Sequence, residues 1–180
     1  RQPGSAEYYP IAAIRRAVAA RPRFDHEVVP VGLREANLVV ERLHRRLGRV
    51  QGHKFAIGLR RVLDQELDGV AIAARPVSRH LDDGITAEVR RIAVDPSVAN
   101  GCTKLLGAIA RSASAMGYRR LVTYTSEDED GASLYAAGWD PIGRSPGGRC
   151  GSSKRPRDAG PEEGRKVVWV KVLRGDRRER

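Results

Sequence analysis

The sequence predicts an α/β fold, a mixed central sheet with helices on both of its faces. Two observations carry this expectation. Short runs with alternating or β-branched patterning are interleaved with runs whose apolar residues recur every three to four positions. In addition, two strand-like runs joined by a polar turn are followed by strand, helix and strand. A hairpin running into a crossover requires antiparallel and parallel pairing in the same sheet. The sequence contains no internal repeat.

Taken in order, Ile11 to Ala20 is Ala-rich with Ile11, Ile14, Ala17 and Val18 at helical spacing, and Pro22 stops it. Val28-Val29-Pro30-Val31 reads as a short strand, with Pro30 placing it at a sheet edge. Leu33 to Leu47 reads as an amphipathic helix with Ala36, Val39, Val40, Leu43 and Leu47 on one face. Its other face carries Arg34, Glu41, Arg42, Arg45 and Arg46. His53–Arg61 and Gly69–Arg75 form a predicted hairpin around the polar Asp64–Asp68 turn. After the polar loop Pro76–Gly84, Ile85–Val94 alternates as a strand, and Ile85, Ala87, Val89 and Arg91 are expected to face one way. Asp95-Pro96-Ser97 breaks it. A helix is expected from Gly101 to Met116, with Gly117 suited to the left-handed position beyond its end. Arg119–Thr125 is a β-branched strand, and the acidic Ser126–Asp130 turn leads into a short helix ending near Gly138. Trp139–Gly143 and Lys166–Leu173 are the last strands, giving the order α-β-α-β-β-β-α-β-α-β-β.

At 180 residues the chain suits one domain with arms. The expected division is a basic N-terminal helical arm (1–23), a core (24–143), a basic Gly/Pro/Arg-rich loop (144–165) and a final strand of the core (166–175). No apolar run approaches the roughly 18 residues of a membrane span, so no membrane association is expected. The opening residues lack a starting Met and read as a trimmed terminus, with no signal-peptide pattern after them. Cys102 and Cys150 sit in unrelated contexts without metal-ligand spacing. A reduced, cytoplasmic protein with no metal is expected, and its oligomeric state is left open.

The net charge of +11 is unevenly spread. Residues 1–61 carry +8, residues 62–143 carry −4 and residues 144–180 carry +7. Two readings of these basic flanks stand open: an electrostatic surface for a polyanion such as nucleic acid, and a solvated Arg-rich surface. The basic tail (Arg149, Lys154, Arg155, Arg157, Arg165, Lys166) has no interleaved aromatics, so any nucleic-acid contact would be to phosphates.

The segment from Arg91 to Leu106 carries the chemistry. A buried strand ends at Val94, a turn follows, and small or polar residues then open an apolar helix. Backbone N–H groups left unpaired at such a helix start, together with the helix dipole, bind pyrophosphate. The same stretch is equally an ordinary strand-to-helix connection in which Asn100 and Thr103 cap the helix.

Val94-Asp95-Pro96 leading through a small-residue loop to Leu105-Leu106 resembles the acyl-CoA motif of the GNAT superfamily. Gly131-Ala132-Ser133-Leu134-Tyr135-Ala136-Ala137-Gly138-Trp139 is similar to that superfamily's later signature, an Ala/Leu/Tyr helix ending in Gly and an aromatic residue. The resemblance covers roughly residues 28–143. Ser97, Asn100 and Cys102 stand where the usual loop has Arg or Gln, Gly, and Gly or Ala, and the segment is two residues shorter. In this it is similar to an atypical phage and actinobacterial branch, distantly like the Mom-type DNA-modification proteins. The resemblance implies an N-acyltransferase using acetyl-CoA or another acyl-CoA and an amine substrate, possible acceptors including a nucleobase or other group on a nucleic acid. A non-catalytic nucleic-acid-binding protein on the same fold, or a DNA-modification enzyme that does not use acetyl-CoA, is the alternative.

Carried over, Ile92, Ala93 and Val94 would pair with the pantetheine arm, and Ala99, Asn100, Gly101, Cys102, Thr103 and Lys104 would hold the pyrophosphate. Glu88 is the expected base, although it is equally suited to pairing with Arg90 or Arg91. Tyr135 is the expected acid for the departing thiolate, with Ser133 or Tyr124 able to substitute. His53, Arg75, Arg79 and Tyr124 are the expected substrate contacts. His53 also reads as a structural histidine, and the Arg75–Asp83 loop as merely solvated. Cys102, at a helix start, is expected to have a lowered pKa and to serve in packing.

Overall fold

The computed structural model describes residues 25–44, 46–145 and 164–173. The expected leading helix at Ile11–Ala20 and loop residues 146–163 lie outside the described residues. The described strands are β1 (His26–Pro30), β2 (Phe55–Arg61), β3 (Leu67–Ala74), β4 (Thr86–Val94), β5 (Arg120–Ser126), β6 (Asp140–Ser145) and β7 (Lys166–Val172). The helices are α1 (Leu33–Leu43), α2 (Gly101–Ala115) and α3 (Ala132–Ala136), with a 3-10 turn at Arg79–Leu81. The strands form one seven-stranded sheet in the order β1-β2-β3-β4-β5-β7-β6. Every neighbouring pair is antiparallel except β4 and β5. The mixed sheet with helices on both faces is the predicted one. That β7 inserts between β5 and β6 is not visible in the element order.

Each face of the sheet buries its own apolar cluster. On one, α2 and α3 bring Leu105, Leu106, Ile109 and Leu134 against Leu59, Ala71, Val89, Trp139 and Trp169. On the other, Val39 and Val40 of α1 meet Val70, Ile72, Ala93 and the loop residue Val50. β3, central to both clusters, is buried along its whole length.

The departures from expectation have local causes. Helix α1 ends at Leu43, not Leu47, and His44 is already extended. The buried Asn37 side chain donates to the Val50 carbonyl (2.9 Å) and accepts from its N–H (2.8 Å). A side chain acting as a strand edge in this way holds the returning chain on the helix and draws it out of helical continuation. The hairpin turn lies earlier than predicted, because Leu67 and Asp68 belong to β3 and Asp68 is the extra residue of a bulge opposite Leu59 and Arg60. There Asp68 is almost fully buried, bonded to His26 at 2.8 Å and doubly to Arg61 at 2.9 and 2.6 Å.

β4 contains a second bulge. Ile72 pairs with Arg91 and Ala73 with Val89, so Arg90 is left over. The alternation changes phase there. Ala87 and Val89 face α2, but so do Ile92 and Val94, whereas Arg91 turns to the α1 side and donates to Gly48 O (3.1 Å). The expectation that Arg91 continues the Ala87–Val89 face is corrected by this one unpaired residue. At the far end of the chain, β6 runs on to Ser145, two residues into the stretch expected as loop.

Helices α2 and α3 both close as predicted. After α2, Gly117 (φ +90°) donates to Ser114 O and Tyr118 to Ala113 O. After α3, Gly138 (φ +70°) and Trp139 make the same pair of bonds to Tyr135 and Leu134. These are Schellman closures, for which glycine is suited because the left-handed residue needs no Cβ.

Candidate active site

The site is a fork in the sheet. β4 and β5 pair only over Thr86–Glu88 against Arg120–Val122. Beyond Glu88, β4 stays with β3 as far as Val94, and β5 stays with β7 as far as Ser126. Ile92, Ala93 and Val94 therefore pair with β3 on one side and with no described strand on the other. At the crotch, the Thr123 hydroxyl donates to Val89 O at 2.9 Å, the first carbonyl past the parting.

The loop beyond Val94 is stitched by turns. Asp95 N–H donates to Asp68 O (2.7 Å), Val98 to Asp95 O (3.0 Å) and Gly101 to Val98 O (3.1 Å). The Asp95 carboxylate accepts from the N–H and hydroxyl of Ser97, which hold its pKa down. Asn100 sits in the left-handed region (φ 58°) and gives no side-chain cap, so the reading of Asn100 as a capping side chain is not met. No acidic side chain occupies the first turn of α2, while Lys104 is exposed there. The helix start thus offers backbone N–H groups and positive charge to an anion. Gly101 lets the helix start pack closely on the end of β4, since a Cβ there would come within 2.4 Å of Val94 Cγ1. Cys102 departs from expectation: burial raises its thiol pKa, and a hydrogen bond with Ser133 offsets this only in part.

Glu88 stands at the crotch on the α1 face, 4% exposed. Its carboxylate accepts from Val77 N–H (2.8 Å) and pairs with Arg90 Nε (3.1 Å). Burial pushes its pKa up, and the Val77 N–H together with Arg90, Arg91 and Lys166 pull against that. The pairing with Arg90 is the structural role considered from sequence, and it coexists with a raised pKa at a fork, where such a shift is suggestive of function. Tyr124, on β5 two residues past Val122, shares this face on the opposite arm of the fork.

Ser133 and Tyr135 come from α3 on the other face. Tyr135 is more than half exposed and packs edge-on against Trp169, with centroids 4.8 Å apart and planes at 83°. Gly131 (φ +66°) allows this, because a Cβ there would lie 2.4 Å from the Trp169 ring. The Trp169 indole N–H donates in turn to Thr125 Oγ1 at 2.9 Å.

A cavity of about 260 Å³ lies at the N-terminal end of β4, lined by Lys54, Ala74, Arg75, Asp82, Thr86 and Tyr118. Arg75, one of the expected substrate contacts, lines this cavity with its guanidinium paired to Asp82. Arg79, exposed in its 3-10 turn, and half-buried His53 do not line it. Lys54, Tyr118, Val77 N–H and Thr123 were not reached from the sequence. All four depend on long-range pairings, and no local pattern marks them.

Comparison with solved structures shows that the chain shares its fold with GNAT acetyltransferases. The chain is similar to the ribosomal-protein-S5-alanine acetyltransferase from Vibrio fischeri (TM-score 0.60, 8% identity, covering 86% of this chain and 97% of that one). It is also similar to a GNAT superfamily phosphinothricin acetyltransferase from Sinorhizobium meliloti in complex with AcCoA (0.58, 12%, 83% and 89%). A third is the ribosomal-protein-S18-alanine N-acetyltransferase from Escherichia coli (0.57, 15%, 82% and 94%). No protein-family model matches the chain, and no curated protein sequence does.

Proposed function

We propose that the chain is an N-acyltransferase that moves an acyl group, acetyl for preference, from coenzyme A to an amine. The observation that supports this best is the coincidence of three features at one place: the β4–β5 fork, the helix start without a side-chain cap, and a buried carboxylate at the crotch. In this reading the loop end and first turn of α2, from Ala99 to Lys104, hold the pyrophosphate. The free edge of Ile92–Val94 pairs with the pantetheine arm. The donor supplies an activated thioester carbonyl.

The residues of the chain then manage protons and position. Glu88 takes the proton from the amine as it attacks, a task suited to a carboxylate whose pKa burial raises above its ordinary value. Arg90 and Val77 N–H hold its two oxygens in place. Tyr135 approaches from the α2 face and returns a proton to the departing thiolate, with Ser133 of the same helix as the substitute donor. Base and acid thus reach the reacting centre from opposite sides of the sheet.

A nucleic-acid acceptor, and with it the kinship to the Mom-type proteins, would need a free basic surface. In the described residues several of the arginines concerned are engaged internally. Arg46 pairs with Asp128, Arg49 with Glu41, Arg60 with Glu27, and Arg61 with Asp64 and Asp68. Among the described residues this favours a small amine as the acceptor, the basic arm and most of the basic loop lying outside them. Thermal unfolding with and without acetyl-CoA tests the proposal. Saturating ligand at 100 times its Kd adds about 2.7 kcal/mol, a shift of several degrees. An unchanged melting temperature with acetyl-CoA and its longer-chain relatives would remove the enzyme reading.

A further inference from the structure

Glu88 is 4% exposed, yet a base has to touch the amine it deprotonates, so a cover on its side of the sheet has to move. Two segments lie on that side. The loop after β3 grips the carboxylate through Val77 N–H at 2.8 Å, and moving it would take from the base one of its own bonds. The other segment is the connection from α1 to β2. It leaves the helix at Leu43 and is back against it at Val50, where Asn37 bonds both backbone groups. Between these points it stands out as a flap over the opening of the fork. Gly48 O accepts from Arg91 of β4 at 3.1 Å. Farther out, Arg46 makes a two-point ion pair with Asp128, in the turn that follows β5. The flap thus spans from one arm of the fork to the other, on the face that carries Glu88.

Its root and its tip are held differently. The Asn37–Val50 bonds are buried, whereas Arg46 and Asp128 are 42% and 57% exposed. Water and salt compete for an exposed pair, so it breaks and re-forms at little cost. A flap closed at its root by buried bonds and held at its tip by an exposed pair swings about the root.

We propose that residues 46–49 are a gate on the acceptor side of the fork, latched by the Arg46–Asp128 pair, and that release of the pair lets the amine reach Glu88. The purpose of the gate rests on the acyltransferase reading, while the latch itself governs access to one carboxylate. Neither the start of α2 nor the Ile92–Val94 edge takes part in it, so donor binding is expected to be indifferent to the latch.

Access is read by treating the protein at mildly acidic pH with a water-soluble carbodiimide and excess glycinamide, itself a small amine. Labelling of Glu88 is followed by mass spectrometry with the exposed Glu66 as internal standard, and the fluorescence of buried Trp139 and Trp169 checks that each variant is folded. Asp128→Asn and Arg46→Gln should each speed labelling of Glu88 by about two- to fivefold, the effect of losing one exposed ion pair, and leave Glu66 unchanged. Raising salt from about 0.02 M to 0.5 M should speed it by a larger factor in wild type than in Asp128→Asn, which has no such pair left to screen. Labelling of Glu88 that is equal in all three proteins, or absent from all three, overturns the gate. So does an effect of one variant without the other. Calorimetric titration with coenzyme A judges the underlying reading separately, and its affinity should be the same for wild type and Asp128→Asn. A weaker or tighter variant would put the latch on the donor and overturn its assignment to the acceptor. If coenzyme A does not bind wild type, the acyltransferase reading falls, and the labelling still decides whether the latch exists.

Discussion

Glu88 concentrates the chemistry of the molecule in one side chain. Replacing it with Gln keeps the shape and removes the base, so turnover should fall by about 10²- to 10⁴-fold with coenzyme A binding unchanged. A variant with wild-type rates in the thiol-release assay would take Glu88 out of the mechanism. Its titration has a second consequence. Because burial raises the folded-state pKa, the stabilising contribution of Glu88 is complete below the ordinary glutamate value and is lost as pH rises through the raised one. Activity should rise across that window as the base ionises. Melting temperatures should meanwhile shift against the wild type relative to Glu88→Gln as pH climbs from acid to neutral. A constant difference between the two proteins would contradict the shift. Glu88 was singled out in the sequence through the family resemblance, which places a carboxylate midway along the strand before the loop. Its neighbours were less legible. Val77 N–H reaches it from eleven residues away, and Lys166 acts on its pKa from the far end of the chain.

Single elements were legible to the extent that their signals are local. The two Schellman closures follow from Gly117 and Gly138, and the buried faces of α1 and α2 follow from their periodicity. The errors lie where a tertiary bond overrides periodicity. Leu47 continues the apolar spacing of α1, yet the helix stops at Leu43 because Asn37 bonds both backbone groups of Val50. Asn37→Ala would leave a buried N–H and a buried carbonyl without those partners, at a cost of about 1–3 kcal/mol. Chemical denaturation checks this, and a loss below about 0.5 kcal/mol would mean that the bonds form equally well to water. The same variant should speed amide exchange between Leu47 and Val50, the segment that Arg91 also holds through Gly48 O.

Among the described residues the sheet is two half-sheets, β1 to β4 and β5-β7-β6, paired at three registers, with the Thr123–Val89 bond just past the parting. Composition and element order foreshadow the mixed sheet. They do not show where it divides, because the division is a matter of which pairs are absent. Thr123→Val removes the bond at the join and strands the Val89 carbonyl in a nearly buried place, so a loss of about 1–3 kcal/mol is expected by denaturant titration. An unchanged midpoint would show that the join does not depend on it. The bulge at Arg90 offers a sharper question about the same opening. Because Arg90 is the supernumerary residue between Val89 and Arg91, deleting it leaves Val89 and Ile92 facing α2 and Arg91 facing α1, as they already do. The alternation survives the loss of a residue, while the bend disappears and Glu88 loses its Arg90 partner. The shortened chain should fold, pair β4 with β5 beyond Glu88, and lose coenzyme A binding if the bend is what keeps the two halves apart.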